Sequence, residues 1–396
     1  MSAASERAGA LISELRNIVS SGALSEKERV ELLQSVVKFT TLLEKPEDAI
    51  TKLLYTPSRF VALRVCSELK LFNQIVEHGP ITSKELAHAT GVDQLLIERL
   101  LRVLTASDFV TETAVATYAP SGVTEALATR LMTGMVEAVY DVGLPGMTAI
   151  PEYLRNTSYK NPHDAANGPW QLGRGIKDQQ IFSWLQQHPR ELGLMQTYFE
   201  ADRGSRPNWV DWFPVEEKLI QNSGLDKDQV LLVDVAGGRG HELSAFLDKF
   251  PNLPGRLILQ DQPHVLDDPT LGLDPRIEKK TIDFWVEGPV QGARIYYMKF
   301  ILHDWSDEQC LQILSHLTAA MDKSTSLLVV EDFIIPDTGC HLLPAMWDIE
   351  MMAFLSAMER TRSQWQKLLS AAGLDVLGMY DPPGDGTGII VSRLSS

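Results

Sequence analysis

Apolar residues recur at helical spacing near the start of this chain and at strand spacing towards its end. Leu11, Leu15, Ile18 and Val19 fall on one helical face, and Gly22 and Pro46 interrupt the pattern. This predicts amphipathic helices up to about Leu54. From Pro57 the pattern predicts short helices with tight turns. A helix starts in the run Ile81 to Ala87, with Thr82 or Ser83 as cap, and ends at Gly91; Leu95 to Leu104 forms another. Residues 109–112 and 115–118 then alternate as a small hairpin. Helix, turn, helix and hairpin make a winged-helix unit. From Ser121 to about Leu225 the chain reads as helical and rich in large residues such as Trp170, Trp184, Trp209 and Trp212, with breaks expected at Pro145, Pro151, Pro162, Pro169 and Pro189. Beyond it, short apolar runs at 230–235, 257–260, 294–298, 326–331 and 388–393 alternate with helical spacing. That is an α/β sheet, with ligand sites expected at the strands' carboxyl ends.

Three regions follow: 1–125, helical and winged-helix; 126–225, a helical connector whose aromatics can wall an apolar pocket; and 226–396, an α/β domain. A winged helix also admits DNA binding. However, the candidate recognition helix at 93–102 sets Arg99 and Arg102 against Asp93 and Glu98, a poor match for phosphates. The net charge of −16 repels nucleic acid and anionic membrane, and no Lys/Arg run offsets it. An interface is the better expectation, favouring a homodimer. Hydrophobic content of 44% and charged content of 22% are those of an ordinary globular protein. The three cysteines, Cys66, Cys310 and Cys340, lack metal or disulfide spacing, which fits a reduced compartment. Met1 to Arg7 lacks the order of a signal peptide, and no stretch reaches membrane-spanning length. A cytoplasmic protein with no membrane partner is expected.

The chemistry concentrates after the first of the late strands. The run 231–235 is followed at once by Gly237, Gly238 and Gly240, and then by helical spacing from Leu243. Strand, glycine turn and helix bring a ligand against bare backbone at a helix N-terminus. The glycine spacing is neither a dinucleotide fingerprint nor a phosphate loop. Acids flank it instead, at Asp234 and Glu242. Carboxylates there suit an amino group, hydroxyls or a cation better than a pyrophosphate. S-adenosylmethionine (SAM), with its ammonium and sulfonium and no phosphate, fits. Asp261 ends the next strand about 20 residues on, where an acid holds ribose hydroxyls. Asp283 beside Phe284 and Trp285 suits an adenine amino group and a stacking face.

His303 lies just past a strand end on the same edge, where a neutral imidazole accepts a proton at cellular pH. Glu331 at the next strand end, and Glu359 after the helix-like run 346–358, are candidates to orient it. That run holds four of the twelve methionines, a soft wall for a flat apolar substrate or ordinary core.

These residues together resemble the class I SAM-dependent O-methyltransferases of the plant caffeic acid and flavonoid type, especially their fungal secondary-metabolism relatives. The resemblance covers nearly the whole chain. It rests on Asp234 to His241, Gln260 to Val265, Met298-Lys299 with His303 to Glu308, and Glu359-Arg360-Thr361. It implies a Rossmann-like catalytic domain behind a mostly helical, winged-helix dimerisation domain, with SAM held by Asp234, Gly237, Gly238, Gly240, Asp261, Gln262, Asp283, Phe284 and Lys299. It makes His303 the base, flanked by Glu331 and Glu359, and puts Asp304, Asp348, Met351 and Met352 in the substrate pocket. No metal is implied. One departure is Ala236-Gly237-Gly238-Arg239, where plant members usually carry three glycines. The implied reaction is methyl transfer to a phenolic or enolic hydroxyl of an aromatic or polyketide-like metabolite. The rival is a relative that keeps SAM and accelerates a pericyclic reaction, using the sulfonium as a fixed charge. A winged-helix DNA-binding regulator is the third reading.

Overall fold

The computed structural model describes residues 3–204, 207–221, 224, 226–269, 271–384 and 386–396. The expected boundary at Leu225, and Met1 and Ser2 of the N-terminal reading, lie outside them. Helices Ala3–Ser20, Glu26–Leu43 and Pro46–Glu68 open the fold. Pro57 does not end the third helix but sits inside it, and Pro151 likewise lies within Leu144–Asn156. Both prolines are exposed, so the carbonyl each frees one turn back can meet water. Thr82 and Glu85 form a reciprocal capping box at the start of Ser83–Thr90, and Gly91, at φ 71°, closes it. Gln94–Thr105 and the strands Thr111–Ala114 and Thr117–Ala119 complete the winged helix, with the hairpin two residues later than expected on its first arm.

The larger sheet has seven strands: β1 (Val230–Val235), β2 (Arg256–Asp261), β3 (Ile277–Thr281), β4 (Ile295–Lys299), β5 (Leu327–Asp332), β6 (Leu374–Tyr380) and β7 (Gly388–Leu394). Their order is β6-β7-β5-β4-β1-β2-β3, with β7 antiparallel to both its neighbours and the remaining pairs parallel.

Strand alternation splits the core in two. Val233, Ile258, Tyr296, Met298, Leu328 and Val330 face one side, against helices Asp307–Ala320 and Arg362–Ala371. Leu232, Leu257, Leu259, Tyr297, Leu327 and Val329 face the other, against helix His241–Lys249 and Trp209. The two faces carry different chemistry where the strands end.

Candidate active site

The glycine turn joins β1 to helix His241–Lys249. A Cβ on Gly237 would lie 2.3 Å from the Asp234 carboxyl carbon, so any larger residue there would have to displace that buried acid. Gly238 and Gly240 take φ of 59° and 73°. The Gly238 amide donates to Asp261 Oδ2 at 2.8 Å, and the Gln262 amide to Oδ1 at 2.7 Å. Asp261 therefore ties the turn to the end of β2. Gln262 leads the short helix Pro263–Leu266. Asp283 follows β3 and accepts from the Trp285 amide at 3.1 Å. The Phe284 ring meets Trp285 at 5.2 Å. The acids, glycines and aromatic ring expected around SAM thus lie along consecutive strand ends, and the cradle at Gly237 and its acidic lining fit that group.

Ala236 adopts φ 58°, a left-handed conformation that costs an alanine about 1–2 kcal/mol. Ala236→Gly is therefore expected to raise stability by about 0.5–1 kcal/mol. Denaturant midpoints at matched protein concentration check it; an unchanged or lower midpoint would contradict the strain.

His303 follows β4 in a single turn of 3-10 helix, Leu302–Asp304, and is 5% exposed. Its Nδ1 lies 2.7 Å from Glu359 Oε1 and 3.9 Å from Asp332 Oδ1. Its Nε2 lies 3.2 Å from Asp304 Oδ1, and the ring stacks on Phe300 at 5.0 Å. Burial alone would push the imidazole down, but Glu359, then Asp304 and Asp332, outweigh it and raise the pKa to about 10. Burial pushes the Asp304 carboxyl up to about 6, opposed by His303, and lifts Asp332 well above the usual range.

Glu331 does not flank His303. It points to the other face of β5, where its Oε1 lies 3.0 Å from Lys299 Nζ and accepts from Thr387 at 2.6 Å, while the Tyr297 hydroxyl donates to its second oxygen. The acid beside the histidine is Asp332. The period of two along a strand explains the exchange: 329 and 331 face helix His241–Lys249, and 330 and 332 face the His303 turn. Lys299 follows the same rule and pairs with Glu242 Oε1 at 2.7 Å. Alternation along the strand sets these two adjacent acids on opposite faces, and the side that carries His303 decides between them.

Glu359 lies beyond its helix, which ends at Leu355, and precedes the short strand Arg360–Thr361. The Glu359 amide donates to Asp348 Oδ1 at 2.8 Å, so Asp348 helps place Glu359. Met352 is half-buried. Met351, expected in the pocket, is buried in an aromatic cluster with Trp170, Trp184 and Phe354. Arg360 was included in the motif Glu359-Arg360-Thr361 but was given no role. It is fully buried and donates to the carbonyls of Leu302 at 2.7 Å and Trp305 at 2.8 Å, clamping the His303 turn from both ends. Its place between Glu359 and Thr361 was the available signal. Among the described residues, no group of three or more His, Cys, Asp or Glu is arranged to hold a metal, and no helix is long and apolar enough to cross a membrane.

Known proteins place this geometry in a class. A family model for the O-methyltransferase domain matches residues 211–375, and one for the O-methyltransferase dimerisation domain matches 53–130. O-methyltransferase asqD of Emericella nidulans is 37% identical over 83% of this chain and 85% of its own. Demethylsterigmatocystin 6-O-methyltransferase of Aspergillus flavus is 33% identical over 83% and 84%. Among solved structures, LepI in complex with SAM aligns at a TM-score of 0.91 with 29% identity, over 99% of this chain and 100% of that one. OxaC in complex with sinefungin and meleagrin aligns at 0.84 with 26% identity, over 99% and 98%. The protein is thus of the SAM-dependent O-methyltransferase class, with SAM as its cofactor. The chain belongs to the O-methyltransferase family, fungal secondary-metabolism branch.

Proposed function

We propose that this enzyme methylates a phenolic or enolic hydroxyl of an aromatic or polyketide-like secondary metabolite, with His303 as the base. The observation that carries the reading is the 2.7 Å contact between His303 Nδ1 and Glu359, at the sheet edge that also bears the glycine turn. Glu359 accepts from Nδ1, which leaves Nε2 to receive the substrate's proton. The hydroxyl takes the place of Asp304 there, and Asp332 supports the imidazolium from the Nδ1 side. When bound, SAM supplies the methyl group on a sulfonium. Arg360 fixes the turn, so the base is held in one position.

A phenol's pKa is about 10 and an ordinary imidazole's about 6.5, so proton transfer between them runs uphill. The carboxylates around His303 bring the two level. The same shift leaves the ring protonated at neutral pH, because pH 7 lies below about 10. Deprotonation therefore accompanies rising pH, and kcat/KM is expected to climb by up to about tenfold per unit above pH 7, levelling near pH 10. A panel of polyketide and phenylpropanoid phenols with labelled SAM tests this. A rate that falls over that range would remove His303 as base.

The second reading is a SAM-bound pericyclase that transfers no methyl. Two observations favour it: full-length likeness to LepI and to a protein described as a pericyclic reaction enzyme, and the engagement of Nε2 by Asp304 at 3.2 Å. We also infer a homodimer through the N-terminal region, with domain limits near 125 and 225. Apolar side chains there are open to solvent, including Leu42 at 82% and Leu53 at 72% exposure, and apolar contact with a second copy would cover them. The substrate is a small molecule rather than nucleic acid, consistent with the acidic net charge.

A further inference from the structure

Beneath the glycine turn lies a cluster of charges that proton transfer at His303 does not use. Lys299, Glu242 and Glu331 are 8%, 6% and 1% exposed. Lys299 Nζ donates to Glu242 Oε1 at 2.7 Å and lies 3.0 Å from Glu331 Oε1. Two carboxylates against one ammonium leave one negative charge in excess. Burial and the neighbouring Glu242 raise the pKa of Glu331, while Lys299, Tyr297 and Thr387, which all present donors to it, oppose that shift and favour its carboxylate. The second oxygen of Glu242 is buried and has no hydrogen-bond partner among the described residues. An unpaired carboxylate oxygen out of water is costly unless a cation approaches it.

The position of the cluster indicates which cation. Along the sheet edge, Asp283 and Phe284 follow β3, Asp261 ends β2, the glycine turn follows β1, and Lys299 ends β4 four residues before His303. A nucleoside bound at Asp261 and Asp283 therefore extends its other end over β1 and β4. That end of SAM carries the sulfonium. Its demethylated product, S-adenosylhomocysteine, has the same ammonium and carboxylate but a neutral sulfur.

We propose that the Glu242–Lys299–Glu331 triad is an anionic platform that makes the cleft discriminate the sulfonium cofactor from its neutral product. It acts through its field and not by transferring a proton, and a low-dielectric site lets one buried charge act at several ångströms. The inference rests on the cleft being the SAM site, but not on the identity of the base or of the substrate.

Isothermal titration of the full-length protein with SAM, S-adenosylhomocysteine and sinefungin, each without substrate, tests it. Sinefungin carries an ammonium where SAM has its sulfonium. In Glu242→Gln the triad becomes neutral. The affinity for SAM and sinefungin relative to S-adenosylhomocysteine is expected to fall about tenfold, with binding of the homocysteine form nearly unchanged. That retained binding also reports a folded cleft. Glu331→Gln removes the same charge from another strand and is expected to shift the ratio in the same direction. If all three ligands weaken equally in both variants, or the ratio stays as in the parent protein, the platform is structural and the proposal is wrong. Because no substrate is present, this outcome is independent of whether His303 is the base.

Discussion

His303→Gln lowers methyl transfer by about 10²–10⁴-fold while leaving SAM binding intact, the loss expected when a general base is removed and orientation is kept. Glutamine preserves a polar group of similar reach, so Glu359 Oε1, at 2.7 Å from Nδ1, keeps a donor and the buried acid is not left alone. On the proposed reading, what disappears is the group that takes the hydroxyl's proton. The comparison with the two strand-end acids sharpens the test. Asp332→Asn removes a carboxylate 3.9 Å from Nδ1, so it should lower the imidazole's pKa and move the rise of the pH–rate profile to lower pH. Glu331→Gln, on the opposite face of β5, should leave that rise where it is. Equal displacement by both variants would overturn the assignment of Asp332 to the histidine.

Arg360→Ala destabilises the protein by about 3–5 kcal/mol, because two buried carbonyls lose their donor and the side chain leaves a cavity. The guanidinium is fully buried, bonds the carbonyls of Leu302 and Trp305, pairs with Asp307 at 2.9 Å and lies over the Trp365 ring at 5.3 Å. A planar fork serves these partners at once, whereas an ammonium does not reach both carbonyls. Arg360→Lys is therefore expected to fall between parent and alanine variant. Denaturant midpoints at fixed protein concentration decide it, since dimerisation shifts apparent stability by mass action. A loss under about 1 kcal/mol would show that the turn holds itself.

Much of this arrangement was legible because local signals agreed with the fold. The runs at 230–235 and 257–260 are apolar on both faces, as central parallel strands must be, and β1 and β2 appear there. β3 was not legible: Ile277-Glu278-Lys279-Lys280-Thr281 is an edge strand, and only Ile277 is buried. Pro57 reads as a change of pattern and Pro151 as a break, yet both sit inside helices on exposed faces, where a carbonyl left without its amide is open to water. The error at Glu331 has a different cause. Two adjacent acids end β5, and choosing between them needs to know which side of the sheet carries His303. That depends on the crossover to β4, a tertiary fact. Arg360 stood in a motif without a role because a charged residue in sequence reads as surface, and its partners, the two carbonyls with Asp307 and Trp365, explain its burial.

The most direct measurement is the ratio of S-adenosylhomocysteine formed to substrate consumed, with methyl-labelled SAM and the purified protein. A ratio of one, with the label on oxygen in the product, is the expected result. Substrate converted to an isomer of unchanged mass, with SAM left intact, would contradict it.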